Sequence, residues 1–323
     1  MKFDMIEAAR ARLKGRVRQT PLLSSPFLDQ IAGRKVYIKP ECLQHTGSFK
    51  FRGAWSAISA LQPDQRSKGI IAFSSGNHAQ GVAYAAQQHG TSSLIVMPSD
   101  APQLKIANTK ALGAEIIFYN RETEDRDAIG AQLAADRDLT LIKPFDNEFV
   151  IAGQGTIGLE IAAVAQELGI DQAQVLVPCG GGGLTSGIAV ALATVSPKMQ
   201  VRPVEPKGFD DVARSLVAGK RLSNDRTTGS ICDAIITPTS GDITFPILNQ
   251  YCGPGLVVTD EECLRAMAIL FSRLKLVAEP GGAAALAAVL FHSDMIDCET
   301  AIIVISGGNV DAGLFAGALQ KYG

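Results

Sequence analysis

Short β-branched runs alternate with alanine-rich segments of helical period along most of the chain. Alternating or continuous apolar stretches read as strands, and apolar positions recurring every three to four residues read as helices. Val36–Ile38, Gly69–Phe73, Ser93–Met97, Glu115–Phe118, Val175–Val177, Gln200–Val204 and Ala301–Ile305 are predicted strands. Ala79–His89, Gln103–Leu112, Asp125–Asp136, Gly155–Leu168 and Leu184–Val195 are predicted helices, the last opening straight out of a run of glycines. A further helix is predicted to start at Asp260, read as its cap, with Glu261 and Glu262 at the positive end of its dipole. This alternation is that of an α/β fold with largely parallel sheets.

The segment from Gly69 to Ile142 has its own strand–helix rhythm. It predicts a small lobe over residues 69–142 and a discontinuous large lobe built from 1–68 and 143–323. A chain of 323 residues is long for a single core, which favours two lobes. No repeat of fixed period and no long linker interrupts the pattern.

Charge narrows the classes of partner. The formal net charge is −2 with no basic run, which disfavours a nucleic-acid or anionic-membrane surface. Ala283–Phe291, the longest apolar run, falls short of the roughly 18 residues a membrane span needs. Met1–Arg18 carries charges at short intervals instead of the apolar core of a signal peptide. A cytoplasmic location is expected. Cys42, Cys179, Cys232, Cys252, Cys263 and Cys298 form no CxxC pair and no zinc-finger spacing, so free thiols are expected.

Four segments carry candidate chemistry. Thr46–Gly53 places Lys50 between Phe49 and Phe51, with glycines on either side. An apolar surrounding disfavours the charged amine and makes it nucleophilic; the alternative is a surface lysine at a helix start. Val177–Leu184 runs from a strand through Gly180, Gly181, Gly182 and Gly183 into a helix, a cradle in which backbone N–H groups converge on a phosphate. It lacks the GK[ST] of a nucleotide P-loop, and a flexible turn is the alternative. Phe73–Gly81 places Ser74, Ser75, Asn77 and His78 where another strand enters a helix, suited to a carboxylate or simply to capping. Last, Ala301–Ile305 ends in Ser306, at the carboxyl end of a strand where open α/β sheets bind ligands.

In this order, SFKFRGA, SSGNHAQG, CGGGG and SGGN resemble the fold-type II pyridoxal-phosphate enzymes, specifically the threonine/serine dehydratase, serine racemase and hydroxyaspartate dehydratase group. The resemblance spans essentially the whole chain. It implies a tryptophan synthase β-like fold, with two open, mostly parallel sheets in a large and a small lobe, and a homodimer. It implies pyridoxal 5′-phosphate as cofactor, bound covalently by Lys50, packed on by Phe49, hydrogen-bonded at its 3-hydroxyl by Asn77, and held at its phosphate by Gly180 to Gly183. Ser306 would face the pyridine nitrogen. Ser74, Ser75 and His78 would contact the substrate carboxylate.

The activity so implied is a dehydratase, or ammonia-lyase, reaction on a small β-hydroxy-α-amino acid: threonine, serine or 3-hydroxyaspartate. Lys50 would remove the α-proton, and a 2-oxo acid and ammonia would leave. The alternative within the group is a racemase, with Ser75 as the acid on the opposite face; an alternative of another class is a silent ligand-binding homologue. The sequence Gly229–Ala234 departs from the ADG type frequent in the racemases. Arg126, whose position resembles a substrate-side arginine of the group, and His45 are candidates for a second substrate carboxylate. Glu205 and Asp211, with the Phe209 carbonyl, match a Mg²⁺ or Mn²⁺ site of some members; solvated loop acids are the alternative.

Overall fold

The computed structural model describes residues 1–323 apart from Ser75, Pro102 and Arg121. Its strands are β1 (Leu23–Ser24), β2 (Lys35–Pro40), β3 (Ile70–Phe73), β4 (Ser93–Pro98), β5 (Glu115–Tyr119), β6 (Thr140–Leu141), β7 (Ala173–Pro178), β8 (Met199–Pro206), β9 (Leu256–Val258) and β10 (Thr300–Ile305). They form a six-stranded sheet of order β1-β2-β10-β7-β8-β9 and a four-stranded sheet of order β5-β4-β3-β6. Every pairing is parallel except β1 with β2. Two open, mostly parallel sheets are therefore present, as expected. The three strands missed in the sequence, β1, β6 and β9, are two or three residues long and carry too little pattern to read.

The central strands are buried on both faces, which explains their unbroken apolar runs. Along β10, Ala301, Ile303 and Ile305 pack on one side with the helix Pro280–Phe291. Ile302 and Val304 face the other way, against Ile188 and Leu192 of the helix Gly183–Val195. The apolar run Ala283–Phe291 is thus a core helix, apolar on nearly all sides because it is enclosed. In the smaller sheet, Ile70, Ala72, Ile95 and Met97 meet Ala79 and Val82 of the helix Asn77–Gln88, together with Phe51 and Trp55 of the helix Lys50–Ala60.

Most predicted helix starts fall within two residues of those observed, and two of the differences have a clear cause. The helix predicted from Gly155 begins at Glu148, capped by the Asn147 side chain. Gly153 and Gly155 look like breakers in sequence, yet they permit close packing. A Cβ on Gly153 would lie 2.4 Å from the Arg52 carbonyl oxygen, and one on Gly155 would lie 2.8 Å from that of Gly187. The resulting helix Glu148–Glu167 is long and apolar enough to cross a membrane, but 72% of its apolar window is buried inside the protein. The second difference concerns Asp260, which is the first helical residue rather than the cap. Thr259 caps instead, in a capping box with Glu262.

Candidate active site

The lysine loop is shaped by two left-handed residues, Thr46 (φ 58°) and Gly47 (φ 73°), before the helix Lys50–Ala60. It is sewn to the end of β10: the Phe49 N–H donates to the Ser306 carbonyl at 3.1 Å, and the Gly308 N–H donates to that of Gly47 at 2.9 Å. Two motifs more than 250 residues apart are thereby one surface. Lys50 Nζ lies 5.3 Å from the centre of the Phe49 ring and donates to the Pro144 carbonyl at 2.7 Å. Burial lowers its pKa to about 8, against a smaller opposing pull from Glu279. Arg52, in the same motif, does different work. It is fully buried between Glu41 (2.8 Å) and Glu160 (2.6 Å), with Lys39 on the other oxygen of Glu160, and so anchors the lysine helix to the core.

Gly180 to Gly183 follow β7 into the helix Gly183–Val195, whose N-cap, Gly182, has φ 87° and no capping side chain. That leaves the helix N-terminus to an incoming anion. Bulk is excluded along the loop. A Cβ on Gly181 would meet the Phe145 ring at 2.3 Å, one on Gly180 the Ile235 backbone at 3.0 Å, and one on Gly183 the Gln154 side chain at 2.9 Å. Gln154 and Thr185, which line the same cleft, have buried side-chain polar atoms without partners. A glycine-only cradle, unsatisfied polar atoms and a lysine biased toward its neutral form fit a phosphate-bearing aldehyde.

Asn77 opens the helix Asn77–Gln88. Its Nδ2 donates to Glu279 Oε1 at 2.5 Å, and its Oδ1 accepts from Asn309 Nδ2 at 2.8 Å. These contacts fix which end of the amide is which. Glu279, which the sequence reading missed, is buried with Oε2 unpartnered, and desolvation raises its pKa to about 7. Ser306 is buried at the end of β10 and lines the cleft.

On the substrate side, Ser74 Oγ accepts from the Gly76 N–H at 3.1 Å. Ser75, on which the racemase alternative rests, lies outside the described residues. His78 Nε2 contacts the Ile142 carbonyl at 2.9 Å and must donate there, leaving Nδ1 as an acceptor without a partner. Burial, with Lys50 adding to it, lowers its pKa to about 3, so the ring is neutral. Arg126 lines the cleft with its guanidinium carbon 5.3 Å from the centre of the Phe73 ring. His45 packs instead on Phe51 and Tyr84, outside this cleft. A second cation in the cleft, Lys105, pairs with Asp233 at 3.0 Å. Neither stands in a recognisable motif.

Away from the cleft, Glu205 and Asp211 are both buried. Glu205 accepts from the Val212 and Ala213 N–H groups, Asp211 from Asn224 Nδ2 and the Ser240 N–H. Desolvation raises both pKa values, that of Asp211 to about 6, and Asp211 raises that of Glu205 further. All four of these carboxylate oxygens thus accept hydrogen bonds from the protein, and among the described residues no group of three or more His, Cys, Asp or Glu side chains comes together as a metal site.

A family model described as "Pyridoxal-phosphate dependent enzyme" matches residues 13–307. The chain is 42% identical to the L-threo-3-hydroxyaspartate ammonia-lyase of Saccharomyces cerevisiae, over 97% of this chain and 94% of that one. Among solved structures, a threonine deaminase from T.th. superposes with a TM-score of 0.91 at 43% identity, covering 96% of this chain and 99% of that one. Maize serine racemase superposes with a TM-score of 0.92 at 36% identity, covering 99% and 97%.

Proposed function

The chain belongs to the pyridoxal-phosphate dependent enzymes, and we propose that within this family it is a homodimeric 3-hydroxyaspartate ammonia-lyase. Its cofactor is pyridoxal 5′-phosphate, and its reaction turns a β-hydroxy-α-amino acid into a 2-oxo acid and ammonia. The choice of 3-hydroxyaspartate is carried by one observation besides that similarity. The cleft holds two cations, Lys105 and Arg126, beyond the lysine and the helix N-termini that cofactor and α-carboxylate occupy.

In the proposed site Lys50 would hold the cofactor, the Gly180 to Gly183 loop would take its phosphate, Phe49 would pack on its ring, Asn77 would meet its 3-hydroxyl and Ser306 would face its pyridine nitrogen. When bound, the cofactor supplies a carbonyl carbon for the substrate amine and a ring that delocalises the charge left at Cα. Ser74 and the start of the helix Asn77–Gln88 orient the α-carboxylate. Lys50 Nζ, already biased toward the neutral amine, takes the α-proton. Ser306 would bring no negative charge to the pyridine nitrogen, and so would not hold a proton there as a carboxylate would. Outside the site the enamine product would take a proton at its β-carbon to become an imine, which adds water and releases ammonia, leaving the 2-oxo acid.

The test is 2-oxo acid release from serine, threonine and 3-hydroxyaspartate in all stereoisomers, with the mass of the active species measured by light scattering. We expect the highest kcat/KM for a 3-hydroxyaspartate isomer, a dimer mass, and no turnover by Lys50→Ala. A best rate on threonine would refute the substrate, and a monomer mass the assembly. Glu205, the Phe209 carbonyl and Asp211 are the proposed holders of a Mg²⁺ or Mn²⁺ ion, whose charge would offset the two buried carboxylates. Because an ion bound only by the folded chain stabilises it, EDTA should lower the melting temperature of wild type and leave that of Asp211→Asn unmoved. Equal sensitivity of the two proteins to EDTA would remove the site.

A further inference from the structure

Lys105 stands on the helix Gln103–Ala111, with its side chain 11% exposed. Its stem lies over Gly76 at the start of the helix Asn77–Gln88. A Cβ there would fall 3.0 Å from Lys105 Cδ and 3.2 Å from Nζ, so the absent side chain of Gly76 is what admits the ammonium to the cleft. Across from it, Asp233 Oδ2 accepts at 3.0 Å. The two partners are unequal. The lysine is nearly enclosed, whereas the Asp233 side chain is 47% exposed and can return to water at small cost. An ammonium carries three N–H donors, and one carboxylate oxygen does not exhaust them.

Asp233 also shows what chemistry this ammonium accepts. Its side chain ends in a β-carboxylate, the group that distinguishes 3-hydroxyaspartate from serine. We propose that Lys105 is the specificity-determining receptor for the distal carboxylate of a dicarboxylic substrate, and that Asp233 stands in for that carboxylate until the substrate displaces it. This rests on the reading of the enzyme as a 3-hydroxyaspartate lyase. Arg126, more exposed, is the competing receptor.

The exchange makes the two partners behave oppositely on mutation. Lys105→Met should lower the ratio of kcat/KM for 3-hydroxyaspartate over that for serine by about 10- to 100-fold, the worth of one charge-assisted hydrogen bond. The loss should fall mainly on the KM for 3-hydroxyaspartate. Asp233→Asn, which removes the competing negative charge, should lower that KM several-fold. A merely structural bridge predicts that both variants lose activity together on both substrates, and that result would overturn the proposal. So would a ratio that falls with Arg126→Met but not with Lys105→Met. Lys105→Arg, which keeps the charge, should recover most of the ratio and guards against a folding defect in Lys105→Met. A wild type that consumes serine but not 3-hydroxyaspartate would refute the substrate reading, and this proposal with it. A wild type that consumes both, with the ratio unmoved by Lys105→Met, would overturn the role of Lys105 alone.

Discussion

Lys50 acts electrostatically on both His78 and Glu279, and burial is the leading cause pushing each of the three toward its neutral form. For Glu279 the consequence can be measured without turnover. Its pKa stands near 7 in the folded chain against an ordinary 4.5, so across that window the folded state keeps a proton that the unfolded chain has released. The stability tied to this group is complete below about pH 4.5 and is lost as the pH rises through about 7. Denaturant unfolding of the cofactor-free protein should therefore show wild type losing stability relative to Glu279→Gln between pH 5 and 7.5; parallel curves would mean that Glu279 ionises normally. At this scale the sequence was legible where chemistry sits inside a motif. Lys50, Gly180 to Gly183 and Ser306 adjoin turns that only glycine or a small residue satisfies, and the structure brings all of them to the lining of one cleft. Glu279, Lys105 and Asp233 are single charged residues without such neighbours. Glu279 precedes a proline at a helix start and reads as an ordinary acidic terminus. Only folding reveals that they are buried or paired.

Among the elements, the helices Glu148–Glu167 and Gly183–Val195 pack in close contact, and the second of them starts at the glycine loop Gly180 to Gly183. Gly155 and Gly187 let the backbones approach: a Cβ on Gly187 would fall 2.4 Å from the Ile151 carbonyl oxygen and 2.6 Å from the Gly155 nitrogen. Both are backbone atoms and cannot swing aside. Gly187→Ala should therefore destabilise the protein by about 1–3 kcal/mol, the cost of overpacking, and raise the Kd for pyridoxal phosphate, since the same helix opens at the cradle. Differential scanning calorimetry checks the first effect and cofactor titration the second; an unchanged melting temperature would show that the seam yields. Gly153 and Gly155 hid the first turns of the helix Glu148–Glu167 from sequence reading. Local propensity counts glycine against a helix, whereas the tertiary contact requires it.

At the scale of the whole molecule, the two sheets differ in how far apart along the chain their strands lie. The four-stranded sheet is complete by Leu141. The six-stranded sheet places β10 between β2 and β7, pairing Ile303 with both Ile38 and Leu176. Alternation of strands and helices announced both sheets, but nothing in it ranked β10 as central, because strand order depends on pairings between distant segments. During ribosomal synthesis, the smaller sheet has all its strands once residue 141 has emerged, while β2 and β7 wait for a partner that arrives near residue 300. Ser306 arrives with that partner, and with it the carbonyl that receives the Phe49 N–H of the lysine loop. The lysine loop is thus set in place by a strand made about 250 residues after it, so a nascent chain still lacking β10 cannot yet hold Lys50 and Ser306 in one cleft.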